Sequence, residues 1–225
     1  VPKTAVKKEA KEAPKEELAV ETPQALANAR PQLQISVSDI DIPKLNVIQK
    51  TSSIPGTAGS IMLDQKHEVV APGEQVSVTI VSAIKRWRED IDFDSDEMPR
   101  YADTEEEKAE LEKDTEWSVI EIADISMLLE APEGSDSLTY PYPIGDKQYA
   151  FGKINVQKDG YRFCYKRLAT LQSFNPSLAL EKTKWTFEAD LLTRGKYSWF
   201  VPMLSANEDK PSDEVVDFVS NLWNS

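Results

Sequence analysis

Tyr149 to Leu168 reads YAFGKINVQKDGYRFCYKRL. Apolar and polar residues alternate on both sides of Lys158-Asp159-Gly160, and an Asp-Gly pair supplies the positive φ that a tight turn needs. The stretch therefore predicts a β-hairpin, with strands over Tyr149–Val156 and Tyr161–Leu168. A period of two would set Tyr161, Phe163 and Tyr165 on one face, and Arg162, Cys164 and Lys166 on the other. A second hairpin follows. Lys184 to Leu191 places Trp185 and Phe187 together, Arg194-Gly195-Lys196 turns the chain, and Tyr197 to Val201 returns with Trp199 and Phe200. Successive hairpins of this kind predict a mainly β, antiparallel fold.

Charge is segregated around these hairpins. Between Lys147 and Phe200 there are ten Lys and Arg against four Asp and Glu, and eleven of the nineteen aromatic residues. Between Glu89 and Glu121 there are fifteen acids and three bases, which accounts for nearly all of the formal net charge of −13. A partner responds to where charge sits rather than to its sum, so the basic half keeps a local field of its own.

Upstream, residues 1–34 are Ala, Lys, Glu and Pro with few large apolar side chains, a composition expected to stay disordered. The β domain is expected over 35–210. Its first strand is read in the alternation from Leu33 through Ile42 to Gln49, followed by the turn residues Ser52 to Gly59 and a short apolar run, Ile61-Met62-Leu63. Gln75 to Ile84 is β-branched and alternating, a clear strand, and runs into Lys85-Arg86-Trp87-Arg88.

Residues 89–116 read as an acidic insertion. Its acids between Glu89 and Glu97 lack the glycine and the twelfth-position Glu of an EF-hand loop. Thr104 with Glu107 forms a capping box for a short helix through Lys113. Strand character resumes at Trp117, Ile125–Leu129 is open between strand and helical turn, and the prolines of Tyr140–Gly145 confine it to a sheet edge. Residues 211–225 predict an amphipathic helix capped by Ser212, with Val215, Phe218, Val219 and Leu222 on one face.

Several kinds of chemistry find no residues to carry them. One cysteine and one histidine cannot build a Cys/His zinc site or an internal disulfide, and neither His67 nor Cys164 has a visible catalytic partner. There is no phosphate-cradling glycine loop. The chain is read as a non-enzyme without cofactor, and, lacking a bilayer-length apolar run, as cytoplasmic with no membrane partner.

The basic half meets a different requirement. Rings for bases beside cations for the backbone are what gripping single strands without reading sequence demands. The candidate stacking residues are Trp87, Tyr161, Phe163, Tyr165, Trp185, Tyr197 and Trp199. The candidate phosphate contacts are Lys85, Arg86, Arg88, Arg162, Lys166, Arg167, Arg194 and Lys196. Rings on alternating strand positions equally suit a barrel core, and that alternative stays open for each of them.

The order of features from IPKLNVIQKTSSIPGTAGSI (residues 42–61), through KRWRED (residues 85–90), to KYSWFVPML (residues 196–204) before an acidic terminal helix resembles tailed-bacteriophage single-stranded DNA-binding proteins. The resemblance implies an OB-like antiparallel barrel, a host-cell cytoplasmic location, and a part in replication or recombination of phage DNA. The C-terminal helix is expected to pack on the barrel, the alternative being an acidic, aromatic-ended tail that recruits replication or recombination proteins. The competing expectation is a protein-interaction module, either a phage structural component or an acidic DNA mimic whose residues 89–116 engage a basic host protein.

Overall fold

The computed structural model describes residues 41–92, 94–176 and 178–222. The expected tail, the strand residues before Asp41, and Trp223 lie outside them. Among the described residues the chain forms ten strands: β1 (Leu45–Val47), β2 (Ile61–Leu63), β3 (His67–Val70), β4 (Gln75–Glu89), β5 (Tyr101–Ala102), β6 (Val119–Glu130), β7 (Tyr142–Ile144), β8 (Lys147–Gln157), β9 (Lys184–Arg194) and β10 (Tyr197–Ala206). Four α-helices accompany them among the described residues: α1 (Glu105–Asp114), α2 (Lys158–Phe163), α3 (Tyr165–Phe174) and α4 (Asp213–Leu222).

The strands make two sheets with antiparallel ladders. The small sheet runs β1-β2-β3; the large one runs β10-β9-β4-β6-β8-β7, with β5 added to the end of β4. One face of the large sheet carries Val78, Ile80, Ile125, Met127, Ile154, Trp185 and Phe187. These pack in one cluster with Leu45, Ile61 and Leu63 of the small sheet and with Tyr161, Cys164 and Leu168 of α2 and α3. The other face offers Leu128 and Tyr149 to Val215 and Val219 of α4. Burying each of those valines contributes about 1.5 to 3 kcal/mol, enough to fix a helix that its own propensity would leave marginal.

The hairpin expected over Tyr149–Leu168 is not formed. β8 ends at Gln157, Lys158 takes the positive φ (51°), and the chain turns into α2 and α3. Gly160 serves close approach rather than a turn, since a Cβ there would stand 3.2 Å from Cγ of Pro202. The same residues carry a helical period that wins: Tyr161, Cys164 and Leu168 are buried, with Tyr165 and Leu171 packed beside them. Tyr161 and Tyr165, one helical turn apart, stack at 5.1 Å between centroids.

Losing that hairpin leaves the barrel open. The large sheet curls until Arg194, at the tip of the β9–β10 hairpin, reaches Asp159 at the start of α2, 2.6 Å away. No ladder joins its ends. β1 spans the gap with one parallel bridge, Lys44 to Lys153. Beyond it, Gln49 donates to the Phe200 carbonyl at 2.7 Å and accepts from the Phe200 N–H at 2.9 Å. Further along the same edge of β10, the Cys164 thiol donates to the Pro202 carbonyl (3.2 Å) and Arg167 to that of Leu204 (3.0 Å). An edge whose acceptors are met by side chains, and which contains a proline, has little left to pair with another strand.

The other expected elements form. β9 and β10 make the second hairpin around Gly195 (φ 59°). Ile125–Leu129 is strand, within β6, and Tyr142–Ile144 is the short edge strand opposite β10. α1 has its capping box, Thr104 Oγ1 accepting from the Glu107 N–H and the Glu107 carboxylate accepting from that of Thr104. Among the described residues no helix is long and apolar enough to cross a membrane.

Candidate nucleic-acid interface

The fifteen residues singled out from the sequence fall into three separate places. The first is the far end of β4. Lys85 to Arg88 lie within the strand, and each of the first two cations meets a carboxylate: Lys85 binds Glu121 at 2.7 Å, and Arg86 binds Asp103 and, at 3.6 Å, Asp124. The Asp103 hydrogen bond is the main reason that the Arg86 guanidinium is held above its ordinary pKa, and the Lys85 hydrogen bond holds Glu121 below its own. Trp87 is only 6% exposed, packed with Ala102 and Leu111 of the insertion, and Lys85 and Lys108 lie 4.6 and 5.9 Å from its ring centroid. It has no face to offer a base.

The acidic insertion is tied to this end of the sheet by Glu89. That carboxylate is buried, accepts from the Arg100 backbone N–H at 2.8 Å and from its guanidinium at 2.8 and 3.0 Å, and is held down at about 2, chiefly by the Arg100 side chain. Asp90 pairs with Lys158 at 2.9 Å. The insertion thus lies over the cations of β4.

The second place is a pocket of 450 Å³ between α2, α3 and the last residues of β10, lined by Arg162, Phe163, Lys166, Arg167 and Trp185 among others. Half-buried Phe163 has the Arg162 guanidinium 5.4 Å and the Arg167 guanidinium 5.5 Å from its ring centroid. Trp185 is 0% exposed and Tyr161 5%, so both are core rings, and Tyr165 is packed against the same cluster. Burial pushes the Tyr161 hydroxyl well above its usual range, and the Cys164 thiol up to about 12. At neutral pH that sulfur is a protonated, inert group.

The third place is the open seam itself. A groove of 830 Å³ runs between β1, the end of β8 with the start of α2, and β10. Trp199 and Phe200 are half-buried along it, and the Arg194 guanidinium lies 5.7 Å from the Trp199 ring centroid. Beside it Tyr197 is 65% exposed with Lys196 5.2 Å from its ring, and Lys50 reaches Ser198 at 3.4 Å. Asn46, Asn155 and Gln157 bring amides to the groove.

Of the residues singled out, only Arg194 and Trp199 line this groove, with Lys196 and Tyr197 at its rim. The amides and Lys158 were missed, and the one signal for them was Asn155 and Gln157 at alternate positions of a strand otherwise apolar inward.

Among the described residues no group of three or more His, Cys, Asp or Glu side chains is placed to hold a metal ion. The chain matches no protein-family model, no curated protein and no solved structure.

Proposed function

We propose that the protein binds single-stranded DNA without reading its sequence, along the seam between β1, the end of β8 and β10. The carrying observation is the groove there, in which half-buried Trp199 lies under Arg194 while exposed Tyr197 and Lys196 continue the same surface. Stacking on a ring contributes roughly 1 to 3 kcal/mol per base, and any base supplies it. Lys196 and Lys50 are phosphate contacts, and Arg194 and Lys158 become so by exchanging Asp159 and Asp90 for phosphate. The amides of Asn46 and Gln157 reach base edges, while that of Asn155 is given to Asp124. The resemblance to phage single-stranded DNA-binding proteins supports this reading and suggests a place in phage DNA replication or recombination. Partner recruitment by the apolar face of α4 does not follow, because Val215 and Val219 are buried against the sheet.

The test is tryptophan fluorescence titrated with oligo-dT at low and high salt. Quenching that weakens with salt supports the proposal, and silence at low salt rejects it. A specific observation favours a second reading, a protein-interaction module: α1 exposes Glu105, Glu106, Glu110 and Glu112, an acidic surface for a basic partner. Binding of a basic protein that is abolished by changing those four to Gln, with no response to oligo-dT, would establish it instead.

A further inference from the structure

The pocket between α2, α3 and the end of β10 gathers three cations, of which, among the described residues, Lys166 alone meets a carboxylate. Its lining holds Arg162, Lys166 and Arg167 and no carboxylate. Among the described residues neither arginine forms a salt bridge, and the acid nearest Lys166, Glu121, stands at 3.7 Å and is bound more closely by Lys85 at 2.7 Å. Arg167 spends one nitrogen on the Leu204 carbonyl and Ser205 Oγ, at 3.0 and 3.3 Å, which orients a guanidinium that still has further N–H groups to give. Both arginines lie against one side chain, Phe163, with their guanidiniums 5.4 and 5.5 Å from its ring centroid. Trp185 lines the same pocket, and its indole Nε1 is buried without a hydrogen-bond partner.

We propose that this pocket binds a phosphate monoester. Such a group carries about −1.5 to −2 charge and three strong acceptor oxygens at neutral pH, against the single charge of a backbone diester. Three cations lining one pocket that holds no carboxylate match the former. Arg162 and Arg167 can each take two oxygens in their fork, with Lys166 as a point charge beside them. Trp185 lies against the pocket, so its indole N–H serves as a reporter of an occupant. The monoester has two natural sources, the phosphorylated end of a DNA strand and a free mononucleotide. The first rests on the single-stranded DNA reading, since the pocket and the seam groove lie at successive positions, Leu204–Ala206 and Trp199–Pro202, of one strand.

The experiment is calorimetric titration of the full chain with eight-residue oligo-dT bearing a 5′-phosphate, a 3′-phosphate or hydroxyls at both ends, and with thymidine monophosphate and inorganic phosphate. The indole N–H resonance of Trp185 is followed in 15N-labelled protein. A strand-end site shows about tenfold tighter binding of one phosphorylated oligomer than of the hydroxyl one. A mononucleotide site shows thymidine monophosphate moving the Trp185 resonance while the oligomers bind alike. Either preference must disappear in Arg162→Gln/Lys166→Gln, whose substituted side chains are exposed and whose thermal melt checks the fold. Should the hydroxyl oligomer fail to bind at all, the seam reading falls while the monophosphate arms still test the pocket. Equal affinity for all three oligomers, with the Trp185 resonance unmoved by either monophosphate, overturns the proposal.

Discussion

Two short segments, Lys85-Arg86-Trp87-Arg88 and Arg194 to Trp199, have nearly the same composition, a tryptophan among cations in or beside a strand. Their fates differ. In the first, Lys85 and Arg86 face Glu121, Asp103 and Asp124, Arg88 has a buried Nε without a hydrogen-bond partner, and Trp87 closes a small core with Ala102 and Leu111. In the second, one cation finds Asp159, another lies over an exposed tyrosine, and Trp199 stays half-exposed beside a groove. What separates them is the chain that returns across each. An acidic insertion folds onto the end of β4, while the β9–β10 hairpin projects past its neighbours to the open seam. What differs is the covering of the ring: Trp87 is sealed by the insertion, while Trp199 stays beside open space even though Arg194 has a carboxylate of its own.

The two tryptophans give the sharpest way to break this contrast. Trp87→Ala is expected to cost about 3 to 5 kcal/mol of stability by emptying a packed site, with oligo-dT affinity retained by the folded fraction. Trp199→Ala should do the reverse, weakening oligo-dT by about 1 to 3 kcal/mol with a smaller change in stability. Denaturant melts and fluorescence titrations on both variants measure it, and equal loss of affinity in the two would end the distinction.

Next in size is Glu89, which fastens the insertion. Glu89→Gln should lower stability by about 2 kcal/mol, the range for hydrogen bonds to a charged group. Because Arg100 holds this carboxylate at about 2 instead of its ordinary 4.5, its contribution is complete above pH 4.5 and is lost as pH falls from there toward 2. Thermal melts between pH 7 and pH 3 should show wild type and variant converging in acid. Parallel curves would mean that Glu89 has another role.

The seam's cations are read through salt. Arg194→Gln/Lys196→Gln removes two phosphate contacts and should flatten the dependence of log affinity on log salt by about 1.4. The same changes at Lys85 and Arg86 should leave the slope alone. The smallest effect belongs to Asp103→Asn, which leaves Arg86 with Asp124 as its one carboxylate partner among the described residues and does not unfold the insertion. An exposed ion pair contributes about 0 to 1 kcal/mol, so stability should barely move, and oligo-dT should bind up to about threefold tighter at low salt only. Tightening of several tens of fold would instead identify the insertion as a cover over a true site at β4.

Much of the fold was legible one element at a time. The capping box of α1, the strand from Gln75, the Gly195 turn and the valine face of α4 each rest on interactions within a few residues, so local pattern suffices for them. Tyr149 to Leu168 defeated the reading because it satisfies two periods at once. Tyr161, Phe163 and Tyr165 alternate as in a strand, while Tyr161, Cys164, Tyr165 and Leu168 recur as in a helix. The tie was broken from outside, by the room that Gly160 leaves for Pro202 and by the carbonyls of β10 that Cys164 and Arg167 reach. Of the site, the hairpin-tip residues Arg194 to Trp199 were found because their chemistry is local. The amides of Asn46 and Asn155 were not, because strands distant in sequence bring them together.

By itself, then, the sequence determined a mainly β chain with charge divided between an acidic insertion and a basic, ring-bearing half, since composition and short-range periodicity need no partner to be read. Which rings are sealed, which cations are already answered, and where the curled sheet is left unjoined belong to the tertiary structure alone. Exposure and pairing are properties of contacts between segments far apart in the chain, and Trp185 at the centre of the core and Trp199 at its open edge, both on alternating strand positions, look alike until the chain has folded around them.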